Sequence, residues 1–298
     1  MEAENNTHSG FSERWLKLRE PADHAARSGV LTEQLISWAA ESGKKALRIL
    51  ELGSGTGSNI RYLMPHLGHN QQWTVLDNDA NLIAHLPLAL KPWADINNAL
   101  LKLESNQLFI EHQNFSAEIT CRVSDIAANI QNLCEGKTDL ITASALLDLT
   151  SAQWLDNLAN IVNTHRCASL FALNYDGSIQ WQPLLDSDST VTKLLNAHQL
   201  SEKGFGKALG PSAGQHYADA LAALNHRVIC KRSGWLIEPQ SNDLQAAIID
   251  GWKEAAIEQS VSDEPLINDW HTTRAQAIRQ KQSTLRVGHV DVLSLPQV

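Results

Sequence analysis

The stretch Ile49-Leu50-Glu51-Leu52-Gly53-Ser54-Gly55-Thr56-Gly57 constrains this chain more than any other. The run Lys45 to Leu52 reads as a short strand that Gly53 closes abruptly. Helical spacing of apolar residues resumes from Asn59 to Leu67, and Gln72 to Leu76 reads as a second strand. Glycines at alternate positions permit positive φ and let a ligand approach the backbone closely. The helix N-terminus behind them adds unpaired N–H groups. Strand, glycine turn, helix and strand form the signature of a βαβ unit, hence of an α/β fold with a parallel sheet.

The alternation continues along the chain. Ala80 to Leu90 is expected to be helical, with further strands at Glu118–Val123, Asp139–Ala143, Ser169–Leu173 and Arg227–Cys230. Trp154, Leu155, Leu158, Ile161 and Val162 mark a helix between two of them, and Pro211 suits the first turn of another over Ser212–Leu224. Phe11 to Ser42 reads as helical, in two runs about Pro21. Trp93 to Asn114 exceeds a minimal connection and is expected to hold an extra strand at Leu108–Glu111. Residues 241–282 read as two amphipathic helices, and Thr284–Leu295 as a last strand with a bulge at Gly288.

Composition narrows the class. The 298 residues carry 24 Lys and Arg against 33 Asp and Glu, a net charge of −9, which argues against a general nucleic-acid surface. At 43% hydrophobic residues the chain is globular and long enough to bury a sizeable core. Cys121, Cys134, Cys167 and Cys230 show no zinc or disulfide spacing, and His112, His216, His226, His271 and His289 show no ligand spacing, so no metal is expected. Met1 to Gly10 is a polar tail without the apolar segment of a signal peptide. No apolar run approaches the ~18–20 residues that cross a bilayer. A cytoplasmic protein without membrane or nucleic-acid partners is the expectation; the sequence sets no oligomeric state.

The spacing of the glycine loop separates two ligand classes. A dinucleotide fingerprint needs Gly at position 58, where Ser58 stands. Asp77 ends the second strand, where a carboxylate accepts hydrogen bonds from a ribose diol. Glu51-x-Gly53-x-Gly55-x-Gly57 followed by Asp77 resembles the class I S-adenosylmethionine-dependent methyltransferases over residues 45–235 and 284–298. That resemblance implies a Rossmann-like, seven-stranded, mostly parallel sheet with helices on both faces and an antiparallel last strand. It implies an organisation of 1–44 as tail and helical lid, 45–240 as cofactor-binding core, 241–283 as helical insertion and 284–298 as the final strand. It also implies S-adenosyl-L-methionine as the cofactor. Glu51 and the loop Gly53, Ser54, Gly55, Thr56 and Gly57 would hold its methionine end, and Asp77 its ribose. Asn78, Asp125 and Ile126 would meet the adenine, and Ser144 and Ala145 would pass close to the sulfonium.

The acceptor side is less marked. No Pro-Pro motif follows Ser144, and no cysteine follows a proline, which disfavours amino methylation of nucleic acids and cytosine methylation. Asp148, Tyr175 and His198 are the catalytic candidates: an acid past the fourth strand, a phenol past the fifth, and an imidazole in the glycine-rich segment 196–211. A helix cap, a packed tyrosine and a surface loop are the competing readings. Trp15, Arg19, His24, Trp181 and Lys203 are the candidates for acceptor binding, with helix packing and a solvated charged face as alternatives for them. Charge and added helices favour a small-molecule acceptor; a protein or RNA methylator and a non-catalytic cofactor binder are the alternatives.

Overall fold

The computed structural model describes residues 12–104, 107–130, 134 and 136–297. The tail Met1–Gly10, and Phe11 with which the first helix was expected to start, lie outside them. In chain order the elements are α1 (Glu13–Ala26), α2 (Gly29–Glu41), β1 (Ala46–Leu52), α3 (Ser58–Leu67), β2 (His69–Asp77), α4 (Ala80–Ile96), β3 (Leu100–Glu104), β4 (Gln107–His112) and β5 (Phe115–Val123). There follow β6 (Leu140–Ser144), α5 (Ala152–His165), β7 (Ala168–Gln182), α6 (Asp188–His198), α7 (Ala213–Ala223), β8 (Arg227–Arg232) and β9 (Trp235–Ile237). The chain closes with α8 (Asn242–Gln259), α9 (Glu264–Arg279) and β10 (Thr284–Leu295).

The strands form one sheet in the order β3-β4-β5-β2-β1-β6-β7-β10-β8, with β9 also on β10. The pairs β1–β2, β2–β5, β1–β6 and β6–β7 are parallel, whereas β10 runs antiparallel to β7 and β8. This is a Rossmann-like sheet with an inserted antiparallel last strand. From β1 the chain steps through β2 to β5 on one side, then returns to β6 and β7 on the other. The topological switch therefore lies between β1 and β6, where open α/β sheets bind ligands beyond their carboxyl ends.

The sheet has ten strands rather than seven. The surplus lies at the margins: the hairpin β3–β4 extends one edge, and the short β9 adds to β10. β3 escapes a periodicity reading because its residues are largely exposed and no apolar face emerges. β7 spans 15 residues, so Asn174–Gly177 lies inside a strand rather than beyond one. The length follows from β10, which pairs with β7 from Ser169 to Gln182. Asn196–His198, expected in a loop, close α6. The break between the first two helices falls at Arg27–Ser28 and not at Pro21, which α1 accommodates in its interior. Ser28 both caps α2 and donates its N–H to Asp291 on β10.

Three apolar clusters hold these layers. Leu31 and Leu35 of α2, Ile60 and Leu63 of α3 and Leu86 of α4 cover one face of the sheet. Trp154, Leu155 and Leu158 of α5 with Tyr217 and Leu221 of α7 cover the other. The third cluster seats α8 and α9 on the far half of β7 and β10, through Trp181, Ile248, Ile267, Trp270 and Leu285. Burial of this kind contributes roughly 1.5–3 kcal/mol per large apolar side chain.

Candidate functional site

The glycine loop leaves β1 at the switch point. Gly53, Gly55 and Gly57 have φ of 59°, 53° and 85°, a region that side chains with a Cβ avoid. Space closes the argument at Gly55, where a Cβ would lie 2.9 Å from Leu16 Cδ1. The loop is tied to β2: Ser54 N–H donates to Leu76 O at 3.1 Å, and Gly55 N–H to Asp77 Oδ2 at 2.7 Å. The second oxygen of Asp77 accepts from Asp79 N–H at 3.0 Å. Burial pushes the Asp77 carboxyl above its ordinary range, opposed by these N–H groups. Asp77 therefore shapes the loop by accepting its Gly55 N–H.

Behind the loop, Glu51 is 1% exposed. Both its oxygens accept from Asn59 Nδ2, at 3.1 and 2.8 Å, and Asn59 Oδ1 accepts from Arg27 Nη1 at 2.5 Å. Burial pushes Glu51 up to about 8, against the pull of Asn59 and Arg27. Arg27 stacks on Tyr62 at 4.4 Å and is itself buried. Asn59 was not among the expected site residues; it lies on the first turn of α3, on the side that faces β1.

Helix α1 covers this region with two working faces. Leu16, Glu20 and His24 recur at four-residue spacing and meet the loop and α3. Leu16 lies on Gly55, Glu20 pairs with Arg61 at 2.6 Å, and His24 Nε2 is 3.0 Å from Ser58 O. Trp15, Arg19 and Asp23 form the adjacent row and meet Trp235. Arg19 donates Nε and Nη2 to the two oxygens of Asp23, at 2.9 and 3.1 Å. Trp235 Nε1–H donates to Asp23 Oδ1 at 3.0 Å, and the Arg19 guanidinium lies over the Trp235 ring at 5.0 Å and the Trp15 ring at 5.8 Å. Arg19 and Trp15 thus belong to one cluster and His24 to the loop side, on two faces of the same helix.

Arg19 brings the cluster to the carboxyl end of β6. Asp148 is buried in a single turn, Leu147–Leu149, and its Oδ1 has no hydrogen-bond partner. Burial pushes it up to about 6, opposed by its own N–H, the N–H of Tyr175 and the charge of Arg19. Leu146, next to it, packs 3.6 Å from where a Cβ on Gly53 would be, so the turn touches the glycine loop. His289 lies opposite Tyr175 in the β7–β10 ladder, its ring 5.0 Å from Trp235 and 6.3 Å from Tyr175. The bulge at Gly288 sets that register; a Cβ there would fall 1.9 Å from Ser178 Oγ. His289 Nδ1 is buried without a well-formed hydrogen bond, and burial with the charge of Arg19 pushes the imidazole down to about 3, against the opposing pull of Asp176 and the Val287 carbonyl.

Other expected residues lie elsewhere. Trp181 is buried against Trp252, Trp270 and Arg274 in the core of the insertion, six residues along β7 from Tyr175. A strand rises about 3.3 Å per residue, so Trp181 is a packing residue remote from Asp148. His198 bridges Glu258 of α8 at 3.0 Å and Lys203 at 3.4 Å, which ties α6 to α8 and the following loop rather than to the glycine loop. The Tyr175 hydroxyl donates to Asn196 at 2.8 Å, which occupies its proton. Asp125 Oδ1 accepts from Ala127 and Ala128 N–H and caps its own turn, while Ile126 O accepts from Trp154 Nε1–H. Asn78 is exposed, and Ser144 and Ala145 are half-buried after β6, Ala145 with φ of 53°. His289, Trp235 and Asp23 complete the cluster. No spacing could reveal them, because they arrive from β10, β9 and α1.

No family model matches the sequence, and no curated protein is similar to it in sequence. Among solved structures, the chain is similar to a cyclopropane synthase from Mycobacterium tuberculosis, at 11% identity and TM-score 0.47, covering 95% of this chain and 94% of that one. It is similar to a cyclopropane-fatty-acyl-phospholipid synthase-like protein from Lactobacillus casei, at 14% identity and TM-score 0.47, covering 95% and 100%. A third is a SAM-dependent methyltransferase from Geobacter sulfurreducens in complex with S-adenosyl-L-homocysteine, at 14% identity and TM-score 0.43, covering 96% and 99%.

Proposed function

We propose that the chain is an S-adenosylmethionine-dependent methyltransferase acting on a small-molecule acceptor. The observation that carries this reading is the loop Gly53–Gly57 at the switch between β1 and β6, with three left-handed glycines and the Asp77 carboxylate held at Gly55 N–H. The residues suit such a donor. Gly55 leaves no room for a side chain, Ser54 Oγ is buried without a partner, and two acids flank the loop. Glu51 and the loop would hold the amino-acid end, Asp77 and Asn78 the ribose and adenine side, with Asp125 and Ile126 beyond. Ser144 and Ala145 would line the path to the acceptor.

The bound donor supplies an electrophilic methyl group on a sulfonium. The chain then has three tasks: to hold the acceptor in line, to exclude water, and to take a proton where the acceptor carries one. Helix α1 serves the first two, since one of its faces lies on the loop and the other on the cluster at Asp148. Asp148 serves the third, as a buried carboxylate with one free oxygen and a proton affinity set near neutral pH. A helix laid against the loop in this way supports a small acceptor over a polymer. Among the described residues no helix is long and apolar enough to cross a membrane. Calorimetric titration with S-adenosylmethionine and S-adenosylhomocysteine tests the reading. Saturable binding of both is the expected result; absence of binding by either at millimolar concentration sinks it.

A further inference from the structure

We infer that Asp148 and His289, under the fixed guanidinium of Arg19, bind a methyl acceptor that enters without positive charge and presents an O–H or a ring N–H. The inference rests on the methyl-transfer reading and adds the class of acceptor to it.

Two unpartnered polar atoms carry the argument. Asp148 Oδ1 and His289 Nδ1 are both buried without a hydrogen-bond partner. Buried polar atoms are almost always paired, and each exception calls for an explanation. These two belong to one cluster. Tyr175 N–H meets the Asp148 carboxylate, and the Tyr175 ring neighbours His289 across the β7–β10 ladder. They are contributed by segments far apart in sequence, and His289 follows a bulge at Gly288, where a Cβ would displace the Ser178 and Asp176 side chains. An ionised carboxylate oxygen can only accept a hydrogen bond, so its missing partner is a donor.

Charge then selects among donors. Arg19, paired with Asp23, holds down the proton affinity of both groups, while Asp176, half-buried on β7, raises that of His289. Arg19 is not free to withdraw, because Asp23 holds it by two hydrogen bonds and Trp15 and Trp235 lie against it. A protonated amine has no lone pair with which to attack, and the Arg19–Asp23 pair offers it no second carboxylate oxygen that is free of a donor. A neutral hydroxyl or ring N–H satisfies both conditions. As the new bond to the methyl carbon forms and the carbon–sulfur bond breaks, the acceptor's proton passes to Asp148 and the donor leaves as a neutral thioether. His289, neutral at working pH, fixes a second polar group of the acceptor and so acts as a binding residue.

The test uses the full chain, a trideuteromethyl-labelled donor and the low-molecular-weight fraction of an extract of its own cells, with products identified by mass and fragmentation. The expected product carries the label on oxygen or ring nitrogen of a neutral or anionic molecule. With that acceptor, His289→Leu is expected to raise KM about tenfold and His289→Asn to restore most of the loss, as for one hydrogen bond. Donor affinity, measured by calorimetry, stays unchanged in both variants. A labelled aliphatic amine overturns the inference, as do an unchanged KM in His289→Leu and an absence of label while the donor binds. Failure of the donor to bind is a separate outcome, because it overturns the methyl-transfer reading itself.

Discussion

The molecule contains an Arg–Asp pair held by a tryptophan N–H and stacked on a tryptophan ring twice, with two tryptophans in one place and a single one in the other. At the insertion, Arg274 donates Nε and Nη2 to Asp188, Trp270 Nε1–H donates to the same carboxylate, and the guanidinium lies 4.5 Å over the ring of Trp181. Beside the glycine loop, Arg19 donates Nε and Nη2 to Asp23, Trp235 Nε1–H donates to it, and the guanidinium lies over Trp235. The surroundings differ. Arg274 is fully buried and its remaining Nη1 donates to Pro183 O, while Leu185 N–H donates to Asp188, so the constellation is closed. Around Arg19, Asp148 and His289 keep unpartnered atoms. One arrangement of groups thus serves as a joint in one place and as a fixed charge beside open hydrogen-bonding sites in the other. What separates the two is polar satisfaction of the neighbours, and no list of residue types contains that.

The largest effect is expected at the joint. Asp188→Ala leaves the Arg274 guanidinium buried and unpaired, which costs about 3–5 kcal/mol. Denaturant unfolding measures it, and donor affinity per folded molecule is expected to stay at the wild-type value. Asp23→Ala is expected to cost less stability, because Arg19 retains some exposure, and to lower turnover instead. Equal stability losses at the two positions would break the comparison.

Asp148→Asn comes next and acts in opposite directions on rate and stability. Removal of a general base costs about a hundredfold or more in turnover. The pH dependence has a definite sign. Burial raises Asp148 from its ordinary 3.8 to about 6, so the folded chain binds this proton more tightly than the unfolded one. Its contribution to stability is present at low pH and is lost as pH rises through about 6, where the ionised form becomes the active one. Turnover of the wild type should fall below that pH, whereas Asp148→Asn should melt higher than the wild type at pH above 7. A variant that melts lower would make Asp148 a structural cap and remove it from the site.

A third effect lies at the loop. Gly55→Ala requires an alanine at positive φ with its Cβ 2.9 Å from Leu16, so the loop or α1 must shift. Left-handed backbone costs a side-chain-bearing residue roughly 1–2 kcal/mol, and donor affinity is expected to fall about tenfold or more. Leu16→Ala combined with Gly55→Ala should recover part of the loss, since it removes the steric half of the cost. Titration calorimetry on the single and double variants reads both parts.

Local rules carried the loop and the alternation. Gly53–Gly57 and the βαβ order are written in short-range patterns, and even Thr284–Leu295 with its bulge at Gly288 follows from alternation and a single glycine. The elements that escaped notice lack such patterns: β3 is exposed, β9 is three residues long, and the far half of β7 is fixed by pairing with β10. The candidate cluster was legible only in part. Asp148 and Tyr175 are picked out by their places past strand ends and Arg19 and Trp15 by the N-terminal helix, whereas Trp235 and His289 owe their place to the antiparallel ladder. Trp181 and His198 mislead because residue type alone does not say whether a polar or aromatic group finds its partners within the core.

The smallest expected effect sharpens the comparison most. Trp270→Phe and Trp235→Phe each remove one N–H donor from an Asp–Arg pair while keeping an aromatic ring over it, a change worth about 1 kcal/mol. At the joint that loss has one outlet, since the Arg274 guanidinium and the Asp188 carboxylate have their other partners in place, and it should lower stability with no change in KM. At the cluster, Asp23 loses the donor that fixes it, so Arg19 gains freedom above Asp148 and His289. The loss should then divide, with a small fall in stability and a rise of a few-fold in KM for the acceptor at unchanged donor affinity, on the order of what one such hydrogen bond supplies. Melting curves and KM for the two variants side by side read that division directly. Identical behaviour would mean that the second constellation is a joint like the first.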